Sequence, residues 1–193
     1  MKLKLLSDED LTLYKKLLQE AFQYGYESFT GKQENEVVPD YEIEESLHEA
    51  DSHAYVMVDD EDHILGGAIV ILYPEAKRGL LDFIFVKVEY QGHGIGQKMW
   101  KEIETLYPEV EVWEATTPYF DVRNIHFYVN KLKFKIVEFY NTKHKETADL
   151  ADNFLYGISV MDRVEKYYPL EYYPLHLRVF IEWIERYTFE RTQ

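Results

Sequence analysis

One stretch constrains this chain more than any other. An apolar run at residues 80–88 is followed by Gln91-Gly92-His93-Gly94-Ile95-Gly96, and then by an amphipathic run to Leu106. The first run is rich in Ile, Phe and Val and reads as a strand. Ile95, Met99, Ile103 and Leu106 recur on one helical stripe, so the glycines stand between a strand end and a helix start. Glycine loses more backbone freedom on folding than any other residue, so three of them in five positions need a reason. A helix start offers free N–H groups and the positive end of the helix dipole, which together bind a phosphate group. Removing side chains at 92, 94 and 96 lets such an anion reach the main chain. A tight turn without a ligand needs one glycine, so three favour a ligand.

Two well-known glycine loops do not fit. A P-loop requires Gly-x-x-x-x-Gly-Lys-Ser/Thr, and no Lys-Ser or Lys-Thr pair follows Gly92 at that spacing. The dinucleotide fingerprint requires Gly-x-Gly-x-x-Gly after a first strand. Here the pattern is Gly92-x-Gly94-x-Gly96, and it comes late in the chain.

The rest of the chain supplies a frame for this loop. Residues 7–22 read as a helix with Ser7 as N-cap and Leu11, Tyr14, Leu18 and Phe22 on one face. Residues 23–40 read as a loop, and a shorter helix is expected over 41–50. Strand patterns occupy 54–58, 64–73 and 80–88, and, after the glycine-loop helix, 110–116, 134–140 and 154–161. A helix is expected over 124–131 and a polar loop over 141–153. Strands bridged by helices alongside directly adjacent strands imply a mixed α/β sheet of about six strands. The tail repeats the tetrapeptide YYPL within residues 167–175, and a terminal helix is expected over 175–187. It either folds back onto the domain or forms a dimer contact.

Composition narrows the partners. The 193 residues carry 36 acidic and 21 basic side chains, a net charge of -15. A nucleic-acid phosphate backbone needs clustered Lys and Arg, so no nucleic-acid partner is expected. A cationic substrate remains compatible with an acidic cleft. There is no cysteine, so neither disulfides nor thiolate chemistry is available. No apolar run approaches the roughly 20 residues of a membrane span, and a soluble, cytoplasmic protein is expected. The seven histidines show no metal-ligand spacing, and no metal is expected.

The run from Val86 through Gly96 resembles the acetyl-coenzyme A signature of the GNAT-type N-acetyltransferases. In that signature a hydrophobic strand end and a short linker lead into Gln/Arg-x-x-Gly-x-Gly/Ala, which opens a helix. Val88 stands where the linker often has proline. A second stretch, RNIHFYVNKLKF at residues 123–134, is similar to the family's later helix. There Tyr128 matches a tyrosine that faces the coenzyme sulfur, and Phe134 an aromatic that opens the next strand. Lys133 replaces the usual glycine. The family's coenzyme-contacting asparagine falls at Asp121, with Asn124 one turn away.

The resemblance implies an α/β fold: a mixed, mostly antiparallel sheet of six to seven strands flanked by helices, the acyl-CoA N-acyltransferase fold. It covers residues 1–162, leaving 163–193 as an aromatic, helical extension. It implies acetyl-CoA as cosubstrate. The backbone of Ile84, Phe85 and Val86 would hold the pantetheine arm and the developing oxyanion. Gln91, Gly92, His93, Gly94, Ile95, Gly96 and Gln97 would hold the pyrophosphate, with Asn124 a further coenzyme contact. The family tolerates many residues at position 93, so the His93 side chain is expected in solvent. Tyr128 would return a proton to the thiolate, and Glu114, on the strand at 110–116, is the candidate base, acting through water. Residues 34–51 hold eight carboxylates and no Lys or Arg, and in the resembling fold this segment walls the acceptor cleft. It suits a cationic amine: a polyamine, an aminoglycoside-like amine, or the lysine or N-terminal amine of a peptide. The other class left open is a non-catalytic acetyl-CoA sensor or interaction module.

Overall fold

Residues 1–32, 34–118, 121–139 and 158–163 are described by the computed structural model. They fall into two units, Met1–Glu111 and Val112–Gln193. In the first unit the elements run β1 (Lys2–Leu5), α1 (Leu11–Thr30), α2 (Asp40–His48), β2 (Ser52–Val58), β3 (Ile64–Tyr73), β4 (Arg78–Val86) and α3 (Ile95–Leu106). The four strands lie side by side in that order, each antiparallel to the next.

Side chains alternate across a strand, and this decides what each helix covers. Val56 and Val58 of β2 join Tyr14, Leu17, Leu18 and Ala21 of α1 and Ile43 of α2 in one buried cluster. Tyr55 points to the opposite face, where it lines a groove with Lys98, Thr105 and Leu106 of α3. Helices α1 and α2 therefore cover one face of the four strands and α3 the other. The pair Gly66-Gly67 allows the closest approach. A Cβ on Gly67 would lie 2.3 Å from the ring of Tyr14 and 2.7 Å from the carbonyl oxygen of Tyr55. Tyr14 is fully buried and packs edge-on against Phe85 at 5.1 Å, so it has nowhere to retreat.

The second unit holds β5 (Val112–Pro118), α4 (Val122–His126), a π turn (Phe127–Lys131), β6 (Lys135–Phe139) and β7 (Ile158–Arg163). Strand β7 lies between β5 and β6 and is antiparallel to both.

The strands expected from residues 52 onward are present, with ends moved by a few residues. Three expectations at the N-terminus need correction. Strand β1 was not expected; it is recruited by β2, whose sequence lies some fifty residues away. Ser7 is not the N-cap of α1. Asp10 occupies that place, and Ser7 Oγ instead donates to the Asp10 carboxylate at 2.8 Å. Helix α1 also runs past Phe22 and through Gly25 to Thr30. Gln23 holds this extension by donating to Glu27 at 2.8 Å and accepting from the Val37 N–H at 3.0 Å. The expected polar loop at 141–153 and the tail beyond residue 163 lie outside the described residues. Among those described, no helix is long and apolar enough to cross a membrane.

Candidate active site

Strand β4, the turn after it and the start of α3 form one continuous device. Gly92 and Gly94 have φ of 83° and 78°, in the left-handed region that side chains rarely adopt. A Cβ at either would meet nothing within 4 Å. The turn itself therefore uses two glycines, one more than the sequence reading allowed, and both leave open space on the loop surface. Gly94 is the N-cap of α3, and no side chain caps the helix. The first turn contains no acidic residue. The first bond of the helix runs from the Lys98 N–H to the Gly94 carbonyl at 3.0 Å, so the N–H groups of Ile95, Gly96 and Gln97 precede the ladder. A helix start with no side-chain cap and no acidic residue in its first turn, at the positive end of the dipole, fits a diphosphate. Gln91 braces the turn by donating from Nε2 to the Val86 carbonyl at 3.0 Å.

Ile84, Phe85 and Val86 pair in register with Ala68, Gly67 and Gly66 of β3. That uses one edge of β4; the other is where the resemblance lays the pantetheine arm. Two residues upstream the register slips. Ile69 faces Phe83 and Val70 faces Leu81, leaving Asp82 as the extra residue of a β-bulge. Its carboxylate accepts a hydrogen bond from the hydroxyl of Ser46, which is buried in α2. Burial pushes the Asp82 carboxyl above the ordinary aspartate range, and the neighbouring Glu49 carboxylate pushes the same way. The Ser46 hydroxyl partly opposes them. A half-buried carboxylate biased toward holding a proton, on the strand assigned to the thioester, is equipped to receive one.

The sequence reading missed Asp82. The visible signal was a lone acid in the apolar run at 80–88, but the bulge that sets its direction depends on pairing with β3. The acidic segment at 34–51 also changes character. Lys15 of α1, mostly buried, pairs with Asp40 at 3.1 Å and with Glu44, so the wall is partly neutralised from across the helix pair. Asp82 adds a carboxylate that this segment lacked.

The remaining expected residues lie in the second unit. Glu114 is partly exposed on β5, on the face opposite the buried Trp113, Ala115 and Thr117. Asp121 is the N-cap of α4 and accepts from the Asn124 N–H at 2.9 Å, so capping accounts for both residues' main contact. Burial raises the Asp121 carboxyl above its usual range. Tyr128 is 5% exposed and sits in the π turn, with Phe127 and Phe134 edge-on to its ring at 5.6 and 5.7 Å. Such turns recur at functional positions in helices. The Phe134 N–H closes onto the Tyr128 carbonyl at 3.0 Å, with Lys133 left-handed at φ 67° where the resembling family has glycine.

Comparison with known proteins agrees with this geometry. The model of the acetyltransferase (GNAT) family matches residues 15–134. An uncharacterised Bacillus subtilis protein, YrkN, is 40% identical over 143 residues, spanning 74% of this chain and 77% of the relative. Spermidine N-acetyltransferase from Vibrio cholerae, solved with CoA and spermine, superposes with a TM-score of 0.61 at 14% identity, covering 84% of this chain and 94% of that one. Nourseothricin acetyltransferase superposes at 0.58 and 17% identity, over 83% and 96%. The ribosomal-protein-S18-alanine N-acetyltransferase of Escherichia coli superposes at 0.60 and 13%, over 87% and 99%. At such identities the superpositions establish a common fold, the mixed α/β N-acyltransferase fold. The family match over well over half the chain, together with the glycine turn and helix start it contains, establishes that this protein belongs to the acetyltransferase (GNAT) family.

Proposed function

We propose that this protein is an acetyl-CoA-dependent N-acetyltransferase whose acceptor is a cationic primary amine. The observation that carries the reading is the pairing, on one strand and the turn after it, of an uncapped helix start that has no acidic residue in its first turn with the half-buried Asp82. Acetyl-CoA supplies a thioester carbonyl open to attack. The residues of this chain supply the rest.

An alkylammonium has an ordinary pKa of about 10.4, so the attacking amine must first lose a proton. Asp82 is the proposed acceptor of that proton, and Glu114, acting through water, is the second candidate. The nitrogen then forms its bond to the carbonyl carbon. Backbone N–H groups of the stretch Ile84 to Val86 hold the oxygen as it gains charge. The carbon–sulfur bond breaks, Tyr128 gives its proton to the departing thiolate, and the second proton shed by the nitrogen as the amide forms restores the phenol. Gln91, Gly92, His93, Gly94, Ile95, Gly96 and Gln97 hold the diphosphate through main-chain donors, and Asn124 is a further coenzyme contact. A cationic acceptor is supported by Asp82, Glu49 and the residual carboxylates of the 34–51 segment. It is also the class named for a neighbour of the same fold, spermidine N-acetyltransferase.

The test is free-thiol release when acetyl-CoA and amines of graded charge are mixed with the protein. Turnover that rises from neutral amines to di- and polyamines supports the reading. A preference for neutral or acidic acceptors overturns the substrate class, and coenzyme binding without thiol release from any amine overturns catalysis.

A further inference from the structure

His93 lies in the turn with its side chain exposed, as the sequence reading expects, yet the ring is not idle. Its Nδ1 lies 3.2 Å from the carbonyl oxygen of Tyr90 and 3.0 Å from that of Gln91. A carbonyl oxygen only accepts, so a ring nitrogen placed between two of them carries a hydrogen and donates to both. The bond pins the peptide joining Gln91 to Gly92. In a trans peptide the C=O and N–H point to opposite sides, so holding the Gln91 oxygen against the imidazole turns the Gly92 N–H away from it. Gly92, at φ 83°, has the freedom to let this peptide swing. A swung peptide presents an oxygen where a phosphate needs a donor.

We propose that His93 is a positioning residue for the coenzyme diphosphate: its Nδ1–H, shared between the Tyr90 and Gln91 carbonyls, holds the Gln91–Gly92 peptide in the donor-outward orientation before the anion arrives. The proposal rests on the reading of this turn as a coenzyme site. It works together with Gln91, which fixes the strand side of the same turn through the Val86 carbonyl. Main-chain groups then make the contacts, and the imidazole spares them the cost of being ordered on binding.

The experiment is calorimetric titration of coenzyme A, and of pantetheine, which lacks the diphosphate, into wild-type, His93→Ala and His93→Asn proteins. In the alanine variant the Kd for coenzyme A rises about five- to tenfold, as expected for one lost hydrogen bond, while affinity for pantetheine stays level. The asparagine variant, whose amide N–H reaches toward the same carbonyls, recovers most of the loss. Unchanged coenzyme A affinity in the alanine variant overturns the proposal, as does an equal loss for both ligands, which marks general loosening of the fold. An asparagine variant as weak as alanine does the same. Failure of the wild-type protein to bind coenzyme A instead removes the underlying reading, and this proposal with it.

Discussion

Among the turns that use left-handed backbone, the one before α3 and the one before β6 are built from opposite materials. The turn between β4 and α3 places Gly92 and Gly94 at φ 83° and 78°, where glycine carries no steric penalty. The turn between the π segment and β6 places Lys133 at φ 67°, where a side chain costs about 1 kcal/mol or more. The first turn leads into a helix start that no side chain caps among the described residues. The second closes onto itself, through the Phe134 N–H and the Tyr128 carbonyl. Glycine stands where the chain turns left-handed and its outer surface is left open. A strained lysine suffices where the backbone only has to stop a helix behind a buried tyrosine. In the proposed mechanism the β4 region works through its backbone and one carboxylate, whereas the α4 region offers a single aromatic side chain.

Four substitutions test that division. The largest effect is expected from Asp82→Asn, which keeps an acceptor for Ser46 but cannot take a proton. Steady-state turnover should fall about 100- to 10,000-fold, the range of a lost general base. The sign of its stability effect follows from the raised carboxyl. Its folded-state affinity for a proton exceeds the unfolded one, so Asp82 favours the fold at acid pH and loses that contribution as pH rises through the raised value. At neutral pH the asparagine variant should therefore melt no lower than wild type. For the same reason wild-type activity should fall, on acidification, at a pH above that of an ordinary aspartate. A large loss of turnover accompanied by unfolding would assign Asp82 to structure and return the base to Glu114.

Next is Tyr128→Phe, which retains the ring contacts to Phe127 and Phe134. Turnover should drop about ten- to a hundredfold, toward the lower end for a general acid because a thiolate leaves readily. Coenzyme affinity, measured by titration, should barely change. Unaltered turnover would remove the tyrosine from the chemistry and leave the second region as packing alone.

Gly94→Val comes third. A β-branched residue is poorly suited to this φ, and the strain of about 1–2 kcal/mol predicts roughly tenfold weaker coenzyme binding. Its added side chain meets only open space, so the melting temperature should fall only by the few degrees this strain implies, and unchanged coenzyme affinity would separate the turn from the ligand. Lys133→Gly is the smallest. Relief of the left-handed strain, less the extra freedom of glycine in the unfolded chain, should stabilise by about 0.5 kcal/mol. A thermal melt should rise by a degree or two, with kinetics unaltered. If it falls, the two turns do not differ in the way argued.

Much of this was legible in the sequence because the responsible signals are local. The strand at residues 64–73 matches β3 from end to end, and the stripe of Ile95, Met99 and Ile103 matches the buried face of α3. The place of the glycine turn was legible, but not that two of its glycines, Gly92 and Gly94, serve the turn itself. Signals that arise from partners far away in sequence were not legible. Strand β1 carries only a few alternating residues and becomes a strand because β2 offers an edge. Helix α1 continues through Gly25 because Gln23 ties it to the segment that follows.

The amino-acid sequence by itself determined the family, the order of elements after β1 and the place of the glycine turn, since helix periodicity, strand runs and glycine spacing act over a few residues. Only the tertiary structure decided how Asp82 is placed and how far Lys15 offsets the acidic segment at 34–51. The bulge at Asp82 depends on register with β3, its environment on Ser46 of a separate helix, and the pairing of Asp40 and Glu44 on a lysine from α1. Charge and proton affinity depend on distance in space, and a linear pattern does not contain those distances until the strands have paired.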